Sequence, residues 1–329
     1  MNHTYADRID ASTIPVIDIS SLRNATDSDT VSRALHRASK GLGFIYVSGH
    51  GIPDSVIHRT RRAAYDFFQS PEALKQTVNR TDWHRGYLGA GGAVMQDDAL
   101  PDLKESFIFG FEDEKGECPN DHPLRGPNRW PDFVPDLQTA AMAFYYHGHI
   151  VAHHLMRGFA LGLGLSDDFF IADSHPPLSR ASLVYYPPQD MTSEESCFGV
   201  GPHTDFGMLT VLCQDNVGGL QVQTVDGRWI HAPPIEGTLV VNVGDLLARY
   251  TDGAYISTPH RVVNHSGRER LSLVLAYDPD ADTVIDPRRI YGADYTTASE
   301  PITCGDYLIW RFGKAFAYRN RSNQMHDPR

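Results

Sequence analysis

The sequence predicts a mixed α/β fold, with helices packed on an antiparallel double-sheet core of the sandwich or jelly-roll kind. Three observations predict it. The first 178 residues alternate short apolar runs with amphipathic helical stretches. Beyond about Ser179 the pattern changes to short β-type runs punctuated by Gly, Pro, Asn and Asp, as expected of a sheet-rich core. The 329 residues are 41% hydrophobic and 21% charged, enough apolar surface for a large core.

The elements follow in order. Pro15-Val16-Ile17-Asp18-Ile19 reads as a strand. A helix starts at Asp27 or Asp29, carries Val31, Ala34, Leu35 and Ala38 on one face, and stops at Gly41 to Gly43. Phe44-Ile45-Tyr46-Val47 is a second strand. Asp54 caps a helix with Val56, Ile57, Ala64, Phe67 and Phe68 on its apolar side, and Pro71 interrupts it. From about Pro131 to Leu165, Ala140, Phe144, Val151, Leu155 and Phe159 fall near helical spacing, and Ser166 is expected to cap a further helix. Strands are then expected at 182–186, 209–212, 220–223, 239–243, 260–263 and 271–275. No Pro- or Ser-rich linker separates the parts. The chain is therefore expected to form one unit: an N-terminal α/β region with long helices over 1–178, and a β core with a tail over 179–329.

Charge and composition exclude several classes. Lys and Arg total 29 against 41 Asp and Glu, a net charge of −12. That balance argues against nucleic acid and anionic membrane surfaces as partners. No apolar run reaches the ~18 residues of a membrane span. The first twenty residues lack a basic segment followed by an apolar one, so no signal peptide is expected. Cys118, Cys197, Cys213 and Cys304 are scattered without metal-site spacing, which suggests reduced thiols and a cytoplasmic enzyme.

The most informative segment is Gly201-Pro202-His203-Thr204-Asp205. In a strand, positions i and i+2 share a face, so His203 and Asp205 are placed to reach one metal ion. His260 begins another β run and is the candidate third ligand. Two imidazoles and one carboxylate on one octahedral face leave three positions open, as in non-haem Fe(II) oxygenases. By itself His-x-Asp fits a polar turn equally well. Three further features support the metal reading. Arg270 and Ser272 share a strand face and suit a carboxylate. Tyr186 precedes the motif and offers a hydroxyl to the same anion, although a strand tyrosine also serves as core. The order Tyr-Pro, His-x-Asp, distal His, Arg-x-Ser runs along the chain.

These segments resemble the isopenicillin N synthase-like branch of the Fe(II)/2-oxoglutarate-dependent dioxygenases. The resemblance is carried by Leu183-Val184-Tyr185-Tyr186-Pro187-Pro188, Pro202-His203-Thr204-Asp205, Asn242-Val243-Gly244-Asp245, Ser257-Thr258-Pro259-His260-Arg261-Val262 and Arg270-Leu271-Ser272. At the front it extends to Ile14-Pro15-Val16-Ile17-Asp18 and to Gly43 through Ile52. It implies a distorted jelly roll (double-stranded β-helix), with Fe(II) at His203, Asp205 and His260. It also implies 2-oxoglutarate at Arg270 and Ser272 with Tyr186 nearby, and O2 as co-reactant. The implied reaction is oxidation of a small molecule by hydroxylation, desaturation or cyclisation, releasing succinate and CO2. Two variants stay open at this point: an Fe(II)/O2 oxidase without a 2-oxo acid, and fragmentation of 2-oxoglutarate of the ethylene-forming type. A binding protein that retained only the jelly roll would be expected to have a degraded triad, and all three ligand types stand here.

The resemblance also implies a substrate side at Arg85 and Tyr87, on Arg85-Gly86-Tyr87, and at Ile108, on Lys104-Glu105-Ser106-Phe107-Ile108. The plain alternative is surface for Arg85 and core for Tyr87 and Ile108. Gly89-Ala90-Gly91-Gly92 reads as an active-site loop. Phe312 through Tyr318 reads as a helix over the pocket or a tail without a role. Asp245 and Arg261 are a candidate bracing pair. His149 and His153 lie four apart on the long helix without the Glu of a zinc-protease motif, so they are expected to be structural.

Overall fold

The computed structural model describes residues 13–92, 102–113, 116, 122–188, 198–264 and 266–315. The N-terminal part contains β1 (Val16–Asp18), α1 (Ser20–Asn24), α2 (Ser28–Gly41), β2 (Phe44–Ser48), α3 (Asp54–Phe68), α4 (Glu72–Lys75), β3 (Gly86–Leu88), β4 (Glu105–Gly110) and α5 (Leu137–Gly162). Then come β5 (Arg180–Tyr186), β6 (Val200–His203), β7 (Leu209–Gln214), β8 (Leu220–Gln223), β9 (Trp229–His231), β10 (Leu239–Val243) and α6 (Asp245–Tyr250). The remainder is β11 (His260–Val262), β12 (Arg270–Tyr277), β13 (Val284–Ile285), α7 (Arg288–Tyr291), β14 (Ile302–Thr303) and α8 (Cys304–Ala315).

An eight-stranded sheet in the order β1-β2-β10-β7-β12-β5-β4-β3 faces a four-stranded sheet in the order β6-β11-β8-β9. Among the described residues of these two sheets, only β1 and β2 pair in parallel. This is the expected jelly-roll core. The N-terminal strands belong to it, since β2 pairs with β10 and β4 with β5.

Alternation along the strands builds two apolar layers. On β2, Phe44 and Tyr46 point between the sheets, while Ile45 and Val47 join the helix side. On the helix side, α5 buries Phe144, Val151, Leu155 and Phe159. The helix runs about 39 Å at 1.5 Å per residue, enough to span the back of the large sheet.

The helix starts largely match the sequence. The Asp27 carboxylate accepts the Thr30 amide and caps α2. Asp54 does not cap α3 as expected: Pro53 holds the cap position without a side-chain hydrogen bond, and Asp54 is the first helical residue. The expected helix after Ser166 does not form, and residues 167–173 are turns. Phe169 and Phe170 instead pack on Tyr250, with ring centres 5.8 and 5.5 Å away, a tertiary contact that outweighs the local cap signal. Among the described residues no helix is long and apolar enough to cross a membrane.

Candidate active site

The space between the two sheets is a cavity of about 220 Å³. Strand alternation sets its walls. Arg180, Ser182, Val184 and Tyr186 face it from β5, and Arg270, Ser272, Val274 and Ala276 face it from β12.

Antiparallel pairing of β6 with β11 sets His203 directly opposite His260. Their ring centres lie 4.3 Å apart. Asp205 is not on β6, which ends at His203. The strand-alternation argument therefore does not place it; the loop after the strand does. The Asp205 carbonyl accepts the Asp245 amide at 2.8 Å, and its carboxylate Oδ2 accepts Asn242 Nδ2 at 2.8 Å. Close backbone packing holds this loop. A Cβ at Gly244 would lie 2.1 Å from the Gly207 carbonyl oxygen, and one at Gly207 would lie 2.3 Å from Asp278 Oδ1. The backbone clash requires glycine at position 244, and a side chain at position 207 would displace the Asp278 carboxylate.

Asp205 Oδ1 lies 3.8 Å from Nε2 of each histidine, and one donor atom from each of the three residues falls within 4.8 Å of the others. His203 Nδ1 meets the Gly201 carbonyl at 2.8 Å, and His260 Nδ1 meets the Thr258 carbonyl at 3.1 Å. A carbonyl only accepts, so each Nδ1 carries the proton and each Nε2 lone pair points inward. Burial, with the neighbouring His260, pushes the His203 pKa well below the usual imidazole range. Burial acts to raise the Asp205 pKa, but the two imidazoles and Asn242 outweigh it and hold the carboxyl below its usual range. Two neutral imidazoles and a carboxylate with one oxygen held by Asn242 form a donor set that fits a divalent iron.

A guanidinium lines the same cavity as this group. Arg270 is wholly buried; its Nε donates to the Gly218 carbonyl at 2.6 Å, while Nη1 and Nη2 find no hydrogen-bond partner among the described residues. Ser272 Oγ, two residues along the same face, is also buried without a partner. Unsatisfied buried donors of this kind cost about 1–3 kcal/mol each unless a ligand meets them. A keto-diacid with one carboxylate at Arg270 and Ser272 fits the unmet donors.

The remaining candidates separate. Ile108 lines the cavity. Arg85 does not: its guanidinium donates to the carbonyls of Trp83, His84 and Leu124, and it lines a different hollow. Arg85 is buried rather than at the surface. Tyr87 is outside the cavity too, its hydroxyl donating to Glu105 at 2.6 Å and Glu72 at 3.1 Å. Its ring packs edge-on to Phe67, so it is core. Asp245 pairs with Arg311 at 2.8 Å, while Arg261 Nε donates to Gln221 at 2.7 Å. The bracing partner of Asp245 thus comes from the C-terminal helix. That helix also puts Phe312 into the cavity wall; residues 316–318 of the expected tail lie outside the described residues. Gly91 closes the expected loop by donating its amide to the Asp102 carbonyl. Sequence reasoning missed Arg180 and the roles of Asn242 and Arg311, which have no local motif of their own.

A jelly roll with such a donor set, and a buried guanidinium without a carboxylate partner among the described residues facing the same cavity, defines the class of mononuclear non-haem oxygenases that use a 2-oxo acid. The comparisons with known proteins agree. The family model described as the 2OG-Fe(II) oxygenase superfamily matches residues 179–279, and that of the non-haem dioxygenase in morphine synthesis N-terminal region matches residues 14–133. The chain is 33% identical to a homoarginine-6-hydroxylase of Glycine max, over 84% of this chain and 89% of that one. It is 31% identical to a 2-oxoglutarate-Fe(II) type oxidoreductase of Metarhizium rileyi, over 93% and 88%. A Neurospora crassa protein, solved in complex with alpha-KG and thymine, superimposes with a TM-score of 0.80 at 29% identity, over 91% and 96%. This chain belongs to the 2-oxoglutarate/Fe(II)-dependent oxygenase superfamily. It is an oxidoreductase whose cofactors are Fe(II) and 2-oxoglutarate.

Proposed function

We propose that the protein oxidises a C–H bond of a small molecule, with His203, Asp205 and His260 as the iron ligands. Arg270 and Ser272 receive the far carboxylate of 2-oxoglutarate, and the Tyr186 ring backs the guanidinium. Hydroxylation is the favoured outcome: substrate C–H, 2-oxoglutarate and O2 give the alcohol, succinate and CO2. The observation that carries this reading is Arg270, buried with two nitrogens lacking partners among the described residues beside an unpartnered Ser272 hydroxyl. Relatives named homoarginine-6-hydroxylase, and a structural neighbour solved with thymine, support a small-molecule substrate. The buried free thiols of Cys213 and Cys304 suit the cytoplasm.

Bound Fe(II) supplies the activation of O2. The chain's own residues do the rest. Asn242 holds one Asp205 oxygen, so that carboxylate presents the other. The carbonyls of Gly201 and Thr258 fix both imidazole tautomers. Apolar side chains such as Val184, Val262 and Phe44 exclude water from the space where substrate and co-reactant meet.

The test is an anaerobic titration of the Fe(II) protein with 2-oxoglutarate, followed by succinate analysis after O2 is admitted. A metal-to-ligand charge-transfer band and succinate formation are expected, both lost in His203→Ala with the fold retained. An unchanged band in that variant would remove His203 from the ligand set.

A further inference from the structure

A second buried guanidinium, Arg180, faces the same cavity. It stands on the same face of β5 as Tyr186, six residues away, and opposite Ala276, six residues from Arg270 on β12. At about 3.3 Å per residue the two arginine positions are about 20 Å apart along the strands, at opposite ends of one trough. Arg180 lies at the end tied to the metal loop. Its Nη2 is 3.2 Å from Asp278 Oδ2, and Asp278 Oδ1 accepts the amide of Met208, three residues beyond Asp205. Phe312 covers one guanidinium face, its ring centre 4.5 Å from the carbon. Nη1 is buried and has no hydrogen-bond partner among the described residues.

The two arginines differ in countercharge. Among the described residues no carboxylate is paired with Arg270, which therefore offers a full charge to an ionised acid. Arg180 already holds the wholly buried Asp278. A ligand carboxylate there would be buried close to a second carboxylate, an arrangement that burial makes costly. A neutral carbonyl oxygen accepts from Nη1 with no added charge to desolvate. Phe312 and Phe206, with ring centres 5.7 Å apart, add flat apolar surface at this end.

We propose that Arg180 anchors the primary substrate through Nη1, and that the substrate class is a compact, neutral, planar molecule carrying an amide- or lactam-type carbonyl. The proposal rests on the reading of Arg270 as the 2-oxoglutarate end.

The test uses three planar probes, benzamide, 2-pyridone and benzoate, added to the anaerobic Fe(II)–2-oxoglutarate protein, with binding read as a perturbation of the charge-transfer band. At least one neutral probe is expected to bind about tenfold or more tighter than benzoate. Arg180→Met is expected to lose that binding while keeping the 2-oxoglutarate band. Asp278→Asn leaves Arg180 uncompensated and is expected to reverse the preference toward benzoate; it decides the matter if Arg180→Met does not fold. Equal or tighter benzoate binding by the unmodified protein, no binding of either neutral probe, retained binding in Arg180→Met, or an unchanged preference in Asp278→Asn overturns the proposal. Failure of the band to form in the unmodified protein instead overturns the cosubstrate reading.

Discussion

Arg270 on β12 stands directly opposite Tyr186 on β5, and its guanidinium carbon lies 4.6 Å from the centre of the tyrosine ring. The ring covers one face of the cation, and the Gly218 carbonyl takes Nε. What is left is a fork of two nitrogens with one direction open. Replacing Arg270 by Gln is expected to weaken 2-oxoglutarate binding by about 2–5 kcal/mol, the usual cost of losing a buried charge partner. Lys restores charge but not the fork. Tyr186→Phe keeps the ring and should bind nearly normally, whereas Tyr186→Leu should lose about 1–2 kcal/mol of cation–π support. The anaerobic band titration measures all four variants. Equal losses in the Phe and Leu variants would show that the hydroxyl, not the ring, matters.

Asn242 holds the carboxylate of the proposed ligand Asp205. Its amide fixes Asp205 Oδ2. Asn242→Ala is expected to lower metal affinity about 10- to 100-fold, the usual range for a residue that orients a ligand. Calorimetric titration with Mn(II) or Co(II) reads this without turnover. An affinity equal to that of the unmodified protein would mean that the loop backbone alone aims the carboxylate.

Arg311 reaches from α8 to the same loop. It pairs with Asp245, which also accepts from Ser257 at 2.6 Å and Thr204 at 3.1 Å. Burial raises the Asp245 pKa, so the guanidinium is the countercharge that holds this carboxylate. Arg311→Met is expected to cost about 1–3 kcal/mol, because a partly buried charge loses its partner. Asp245→Asn in the same chain should recover part of that loss. Thermal or urea unfolding gives the comparison, and additive losses would exclude coupling.

His149 gives the fold an acid sensitivity independent of iron. Ser179 Oγ donates to the Asp278 carbonyl at 2.9 Å and accepts the Asp278 amide at 2.9 Å. Its proton is committed, so His149 Nε2, at 2.8 Å, must be the donor. Burial pushes the His149 pKa down to about 3, from an ordinary 6.5. The unfolded chain therefore binds the extra proton first. Stability from this group is full above pH 6.5 and falls as pH drops from 6.5 toward 3. Between pH 6.5 and 5 the loss is about 2 kcal/mol. His149→Gln keeps a donor without the titration and should flatten the urea-unfolding stability curve over that interval. Parallel curves for the two proteins would assign the acid sensitivity elsewhere.

The sequence by itself determined the two-part grammar, the strand runs from Ser182 onward and the residues of the candidate metal triad. These are local patterns: alternation over four to eight residues, a capping Asp27, and short motifs whose side chains carry the chemistry. His203 and Asp205 could be paired on paper because they are two apart, although a loop rather than strand alternation joins them. Only the tertiary structure decided which distant residues meet. The β6–β11 register brings His260 to His203 across 57 positions. Packing against Phe67 and hydrogen bonds to Glu72 and Glu105 turn Tyr87 away from the cavity, and three carbonyls hold Arg85 in another part of the molecule. Arg180 and Asp278 meet because β5 and β12 run side by side in one sheet. No local pattern encodes that meeting: strand pairing and close packing are many-body outcomes, fixed only once both sheets close around a shared core.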